Sequence, residues 1–201
     1  MENNNTSHLQ SMAPFLKAQA NSSKSVANIH VALAELIDNS LDAGAKTIKI
    51  SSKKNDTTFD LFVCDDGEGR NKRELRRAFQ YGGSNKPATS RSQFGTLGVG
   101  LNSSAGYLAT GKLEIYSKTK SCTKINYGSF DIAKMRVNIN SNAWDHLYSF
   151  ETIDRRDIEV PLVEHFLSDV ESGTIVILRN MSKLKCGTKR QFDREIITNE
   201  R

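Results

Sequence analysis

The chain is poor in the residues that build metal centres and covalent scaffolds. Its 201 residues hold three cysteines, Cys64, Cys122 and Cys186, widely separated and without metal-ligand spacing. An odd, sparse count points to a reducing compartment rather than a disulfide framework. The four histidines, His8, His30, His146 and His165, form no His-x-x-x-His pair, so a catalytic metal held by protein nitrogen or sulfur is not expected. There is no run of about eighteen apolar residues, which excludes a helical membrane span. The first twenty residues are polar and lack the apolar core of a signal peptide. Together these absences predict an intracellular protein with no membrane partner, nuclear in a eukaryote and otherwise cytoplasmic. The length suits one domain or slightly more, enough for a real core.

What is present is concentrated in a few short segments. Glu35-Leu36-Ile37-Asp38-Asn39-Ser40-Leu41-Asp42 comes first. At about 100° per residue on a helix, Glu35, Asp38, Asn39 and Asp42 share one sector, with Leu33, Leu36, Ile37 and Leu41 on the other side. No Lys or Arg lies between Val31 and Ala45. Like charges at helical spacing repel by about a few tenths of a kcal/mol per pair. A hydrated cation on that face, a water to be activated, or both, would account for the pattern.

Two glycine motifs follow. Asp65-Asp66-Gly67-Glu68-Gly69 comes after an alternating run (Phe59, Leu61, Val63) that reads as a strand. Gly95-Thr96-Leu97-Gly98-Val99-Gly100 leads through Leu101 into a helix predicted over residues 101–108. Glycines at a helix entrance let backbone N–H groups approach a phosphate closely, and the helix dipole adds attraction. The spacing Gly-x-x-Gly-x-Gly is not the dinucleotide fingerprint, and no Gly-Lys-Ser/Thr of a P-loop is present. Either motif alone says little. Their order, acidic helix, then Asp-x-Gly-x-Gly after a strand, then Gly-x-x-Gly-x-Gly before a helix, is much more specific.

In that order the chain resembles the ATP-binding domain of the GHKL superfamily, which includes type II topoisomerases, ninety-kilodalton heat-shock chaperones, sensor histidine kinases, MutL and MORC proteins. The look is nearest to MORC ATPases, through Ala20-Asn21-Ser22-Ser23, Ala34-Glu35-Leu36-Ile37-Asp38-Asn39, Asp65-Asp66-Gly67, and Ser84-Asn85-Lys86 ahead of Phe94-Gly95. Asn39-Ser40-Leu41-Asp42-Ala43-Gly44-Ala45 looks equally like MutL. The resemblance extends over residues 21–178.

The chain divides into a polar N-terminal arm (1–20), an ATP-binding domain (21–182) and a basic C-terminal segment (183–201). Within the domain a helix is predicted over 25–43, then strands at 47–51 and 58–64, a helix at 73–79, strands at 112–118 and 124–130, a strand at 147–151, a helix at 161–168 and a last strand at 174–179. Residues 82–94 read as a flexible loop, and 131–172 is the least legible stretch. Strands in neighbouring pairs, with helices grouped early, suggest an α+β sandwich rather than a doubly wound sheet. The resemblance implies the same, a two-layer α/β sandwich with a mixed, mostly antiparallel sheet and helices on one face, the Bergerat ATP-binding fold. It makes the 82–94 loop a lid over the nucleotide.

It also implies roles. Glu35 would be the general base that activates water for attack on the γ-phosphate, and Asn39 an ATP-site residue and the ligand of Mg²⁺. Asp38 and Asp42 would orient the neighbourhood or form structural ion pairs. Asp65 would accept a hydrogen bond from the adenine amino group, with Gly67 and Gly69 allowing the base to approach and Thr174 completing its pocket. Gly95, Gly98 and Gly100, with the amides of Thr96, Leu97, Val99 and Leu101, would wrap the triphosphate, and Lys86 with Ser84 and Asn85 would reach it from the lid. Cofactors would be ATP and Mg²⁺. Partners would be a second copy in a nucleotide-dependent homodimer, and DNA or chromatin through other regions.

The net charge of +5 gathers partly in two places, Lys72, Arg73, Arg76 and Arg77, and Lys183, Lys185, Lys189 and Arg190. Solvated faces and contacts to a phosphate backbone are both open readings. Two features depart from the family pattern. Arg70 stands where many relatives carry an apolar residue, and the chain stops soon after the last strand, before any downstream domain able to supply a lysine to the γ-phosphate. A fragment with slow hydrolysis is therefore expected. Three functions remain: an ATPase whose nucleotide state drives dimerisation on DNA or chromatin, a nucleotide-gated or MutL-like switch with little hydrolysis, and a histidine kinase. The last is disfavoured, because His8 and His30 lack a His-box and Glu35 precedes Asn39 by four residues.

Overall fold

Alternating apolar side chains set most of this architecture. The computed structural model describes residues 29–79, 111–120, 122–137 and 147–182. Helix α1 (Ile29–Asp42) leads into the hairpin of β1 (Ile48–Lys54) and β2 (Thr58–Asp65), followed by α2 (Lys72–Ala78). Next come β3 (Lys112–Lys118), β4 (Ile125–Asp131), the short helix α3 (Ile132–Val137) and β5 (Tyr148–Ile153). A 3-10 turn (Arg155–Asp157), α4 (Pro161–Asp169) and β6 (Gly173–Ser182) complete the described chain. The helix and strands expected around residues 112–179 fall within a few residues of these bounds. The α3 helix and the 3-10 turn were not foreseen in the poorly legible stretch.

The sheet runs in the order β1-β2-β6-β3-β4-β5. Every neighbouring pair is antiparallel among the described strands, so the α+β class holds. The last described strand, β6, thus enters the centre of the sheet, between β2 and β3. Residues directly opposite one another in an antiparallel ladder share a face, so the register sorts the side chains. Leu61 and Val63 of β2, Leu178 and Val176 of β6, and Leu113 and Ile115 of β3 line one face. Leu33 and Leu36 of α1, Leu75 of α2 and Phe79 just after it pack against it. Each such side chain contributes about 1.5–3 kcal/mol when fully buried. Gly128 on β4 is needed there: a Cβ would lie 2.8 Å from Cε2 of Phe79 and 3.2 Å from Leu75.

The reverse face carries Phe62, Cys64, Tyr116, Ile125, Ile175 and Ile177, and α4 covers it with Val163, Phe166 and Leu167. Helix α4 is therefore an addition to the expected arrangement of helices on one face. Its apolar residues at positions 163, 166 and 167 form the stripe that pins it there. Buried on both sides, β2 is a nearly continuous apolar strand. Burial pushes the Cys64 thiol up to about 12, with the neighbouring Asp65 charge acting in the same direction, so Cys64 is a core residue rather than a reactive one.

One irregularity marks the far end of the β2–β6 ladder. Phe59 pairs with Met181 and Leu61 with Leu178, so Asp60 faces both Arg179 and Asn180 in a β-bulge. Asn180 takes a left-handed conformation, φ 54°, and its amide donates to Asp60 Oδ1 at 2.9 Å.

Candidate functional site

At the opposite end of β2, the sequence builds a turn that ties α1 to the sheet. Helix α1 ends on Gly44, φ +71°. Ala45 N–H reaches the Ser40 carbonyl at 3.1 Å and Gly44 N–H the Leu41 carbonyl at 2.9 Å, the paired bonds of a Schellman ending that glycine at this position favours. The Ala43 carbonyl then accepts Glu68 N–H at 2.9 Å. Asp66 Oδ1 accepts the amides of Lys46 at 2.7 Å and Thr47 at 2.8 Å. The Thr47 amide, above all, holds the Asp66 carboxyl below the usual carboxylate range. Asp66 thus serves the turn, while its neighbour turns inward.

Asp65 closes β2 and is 5% exposed. Its Oδ1 accepts Gly67 N–H at 3.0 Å, and its Oδ2 accepts the Ser40 hydroxyl at 3.0 Å. Burial pushes the carboxyl above its ordinary range, against the Gly67 amide, the Ser40 hydroxyl, the Thr174 backbone and the charge of Arg70. Among the described residues no Lys or Arg forms an ion pair with it. Glycines make room on two sides. A Cβ at Gly69 (φ +71°) would fall 2.0 Å from the Lys118 carbonyl oxygen, and one at Gly173 2.3 Å from the Asp65 carbonyl oxygen. At Gly67 it would meet Ala43 at 2.8 Å.

The register carries Asp65 into a polar row across five strands. Asp65 opposes Thr174, Thr174 opposes Ser117, Ser117 opposes Asn126, and Asn126 opposes Thr152. Ser117 Oγ lies 2.8 Å from Thr174 Oγ1 and 3.2 Å from the Gly173 carbonyl, and it accepts Arg70 N–H at 2.7 Å. Asn126 Nδ2 donates to the Arg70 carbonyl at 3.0 Å, and Thr152 donates to Asn126 Oδ1 at 3.3 Å. The Asp-x-Gly-x-Gly turn is therefore clamped to β3 and β4 through both polar atoms of the Arg70 backbone.

The structure thus brings Asp65, Gly67, Gly69 and Thr174 to one end of the sheet, beside α1. Glu35, Asp38, Asn39 and Asp42 are all half-buried on that helix. Leu41, read as part of the apolar side, is 46% exposed; it stands about 100° around the helix from the Leu33–Leu36–Ser40 stripe, which is what meets the sheet. Ser84, Asn85, Lys86, Gly95, Thr96, Leu97, Gly98, Val99, Gly100 and Leu101 lie outside the described residues. Sequence reasoning missed Ser40, Ser117 and Asn126. Ser40 and Ser117 sit where an apolar residue would continue a buried stripe, Leu33–Leu36–Ser40 or Leu113–Ile115–Ser117, and that interruption was the available signal.

The donor set bears on a metal. Among the described residues no group of three or more His, Cys, Asp or Glu is placed to hold an ion. One amide oxygen at Asn39 with half-buried carboxylates nearby suits Mg²⁺, which keeps several waters and takes phosphate oxygens as further ligands. No helix among the described residues is long and apolar enough to cross a membrane.

A family model described as histidine kinase-, DNA gyrase B-, and HSP90-like ATPase matches residues 27–160. The match takes in α1, the Asp-x-Gly-x-Gly turn and the first five strands, and it stops short of Thr174. No curated protein matches the chain. With more than half of its 201 residues matched, and with a buried aspartate at the end of β2 set against α1, the chain belongs to the family of histidine kinase-, DNA gyrase B- and HSP90-like ATPases.

Proposed function

We propose that this chain binds ATP–Mg²⁺ where Asp65 and Thr174 meet α1, and that it hydrolyses the nucleotide slowly as an isolated domain. The observation that carries the reading is Asp65 itself. A carboxylate that is 5% exposed and hydrogen-bonded, among the described residues, by a hydroxyl and backbone amides alone keeps acceptor capacity, and an adenine amino group supplies a further donor. Guanine would present a carbonyl there and leave the carboxylate unpaired.

In this reading Asn39 holds Mg²⁺ through its amide oxygen, and the ion, when bound, offsets phosphate charge. The amides around Gly95, Gly98 and Gly100 wrap the phosphates, and Lys86 reaches them as a mobile point charge. Glu35 accepts a proton from a water whose oxygen forms a bond to the γ-phosphorus as the bond to the β,γ-bridging oxygen breaks, releasing ADP and phosphate. Nucleotide binding orders the 82–94 lid and the N-terminal arm, residues 1–20, and shifts a monomer–dimer equilibrium. The setting is a MORC-like ATPase acting on chromatin or DNA.

Calorimetry of ATP against GTP, with magnesium, on the chain and on Asn39→Ala tests the site. Micromolar, adenine-selective binding that the variant loses supports it; no binding by the intact chain overturns it. Single-turnover hydrolysis by Glu35→Ala tests the chemistry. An unchanged rate removes Glu35 as base and leaves a nucleotide-gated or MutL-like switch as the reading.

A further inference from the structure

Ser117 is 0% exposed and no assigned role includes it, yet three polar groups converge on its hydroxyl. A hydroxyl has one proton and two lone pairs. The Arg70 N–H, 2.7 Å away, can only donate, so it takes one lone pair. The Gly173 carbonyl, 3.2 Å away, can only accept, so it takes the proton. The remaining lone pair faces Thr174 Oγ1 at 2.8 Å, and Thr174 must then donate. This is the one arrangement in which all three contacts are hydrogen bonds, and at a residue so buried no water replaces a bond left unmade. Its consequence falls on Thr174. With its own proton committed to Ser117, the Thr174 hydroxyl has only lone pairs left.

We propose that Ser117 is a positioning residue that locks Thr174 as a hydrogen-bond acceptor, so that Thr174 and Asp65 form a two-acceptor edge selecting an exocyclic amine and rejecting a 6-oxo purine. The inference rests on the reading of this end of the sheet as the nucleotide base site, and it adds a second determinant to Asp65. The same Ser117 oxygen holds Arg70 N–H, so the polarity of Thr174 and the seat of the Asp-x-Gly-x-Gly turn are fixed by one atom. Asn126, which donates to the Arg70 carbonyl at 3.0 Å, steadies the turn without touching Thr174.

The test compares binding of ATP and of inosine triphosphate, which differ at the 6-position in amine and carbonyl, by the full 201-residue chain and its variants. Wild type should favour ATP. Ser117→Ala frees the Thr174 proton to turn towards a carbonyl, and should narrow the ATP-to-inosine-triphosphate ratio about three- to tenfold, the reach of one neutral hydrogen bond. Thr174→Val should narrow it by a similar factor, and should narrow it no further in the Ser117→Ala background. Should Ser117→Ala fold poorly, Ser117→Cys keeps the shape but offers Thr174 only a weak sulfur acceptor, and should narrow the ratio in the same direction. A merely structural Ser117 would lower the melting temperature and weaken both nucleotides equally; that unchanged ratio overturns the inference and leaves the base site standing. A wild type that binds ATP and inosine triphosphate alike also overturns it. A wild type that binds neither overturns the underlying reading.

Discussion

Two aspartates on β2 are buried to almost the same degree and treated in opposite ways. Asp60 is 6% exposed and Asp65 5%. Asp60, at the bulge, meets a full cation: Arg179 Nη1 lies 2.9 Å from its Oδ2, while Asn180 N–H and the Asn55 amide both reach its Oδ1. The same guanidinium turns Nε to Glu114 at 2.5 Å, and Tyr127 donates to the other Glu114 oxygen at 3.0 Å. Burial pulls the Arg179 charge down, but its bonds to Asp60 and Glu114 outweigh that and hold its pKa above the usual arginine value. Asp65 has no such ion pair among the described residues: dipoles hydrogen-bond it, and the charge of Arg70 acts only from a distance. A carboxylate has about four acceptor positions, and in Asp65 the Gly67 amide, the Ser40 hydroxyl and the Thr174 backbone are the groups that answer. The lesson is that burial alone does not mark a site. A buried carboxylate whose charge is already matched by an ion pair serves the fold, and one hydrogen-bonded by dipoles without an ion pair retains capacity for a ligand.

The sharpest way to break this comparison is to remove the cation. Arg179→Leu leaves Asp60 and Glu114 buried without their partner, with Lys112, 3.7 Å from Glu114, as the remaining cation among the described residues. The expected loss of stability is about 3–5 kcal/mol, read from the urea midpoint. Nucleotide affinity, measured where the variant is still folded, should stay within about twofold, because this network lies on the reverse face and at the other end of β2. A small loss of stability, or a large loss of affinity, would mean that the two clusters are not separable in the way argued.

How much of this was visible in the sequence follows from the physics of each part. The strands were legible because apolar alternation at Phe59, Leu61 and Val63, or at Leu113 and Ile115, is a local property. The insertion of β6 between β2 and β3 was not, since strand order depends on which edges pair across more than a hundred residues of chain. That insertion sets Thr174 opposite Asp65, a placement the family resemblance implied and local pattern could not. The side of the sheet taken by α4 was equally hidden, because an amphipathic stripe at Val163, Phe166 and Leu167 fits either face until the register is known. The dipole partners were missed for a different reason. Ser40 and Ser117 are small polar residues that look ordinary in a helix or strand, and only their place on a buried stripe distinguishes them. Asp65 and Asp66 are adjacent in sequence; the resemblance gave the base site to Asp65 and pointed Asp66 elsewhere, and the Phe59, Leu61, Val63 alternation continues to Asp65.

Neutralising the second aspartate should have the reverse signature. Asp65→Asn keeps an oxygen for the Gly67 amide and removes a charge that no described Lys or Arg pairs with. Folding raises the Asp65 pKa, so the folded state binds that proton more tightly than the unfolded chain. Wild-type stability from this group is therefore greatest below the ordinary carboxylate range, and declines as pH rises through that range to the raised value. The Asn variant should lack the decline and be at least as stable as wild type at neutral pH. ATP binding should nonetheless weaken about ten- to hundredfold, the worth of a hydrogen bond to a charged group. Denaturation across pH, paired with calorimetry, separates the two effects. Loss of stability at neutral pH with affinity intact would reverse the roles given to Asp60 and Asp65.

The smallest expected effect belongs to the neighbour, and its pH dependence runs the other way. Asp66 sits at the surface of the turn and accepts the Lys46 and Thr47 amides at 2.7 and 2.8 Å. Those bonds hold its carboxyl below the usual range, so its contribution is present above that range and is lost as pH falls through it to the lowered value. Asp66→Ala should cost about 1 kcal/mol at neutral pH, comparable to losing a helix cap, because solvent screens the charge and only the two amides are orphaned. Asp66→Asn, which retains an acceptor, should cost less. The gap between wild type and Asp66→Ala should close in acid, where wild type loses the same bonds by protonation. Two adjacent carboxylates would then show stability slopes of opposite sign, one from burial without an ion pair and one from exposed amide bonds. A shared sign would mean that the inward turn of Asp65 does not distinguish it electrostatically from its neighbour.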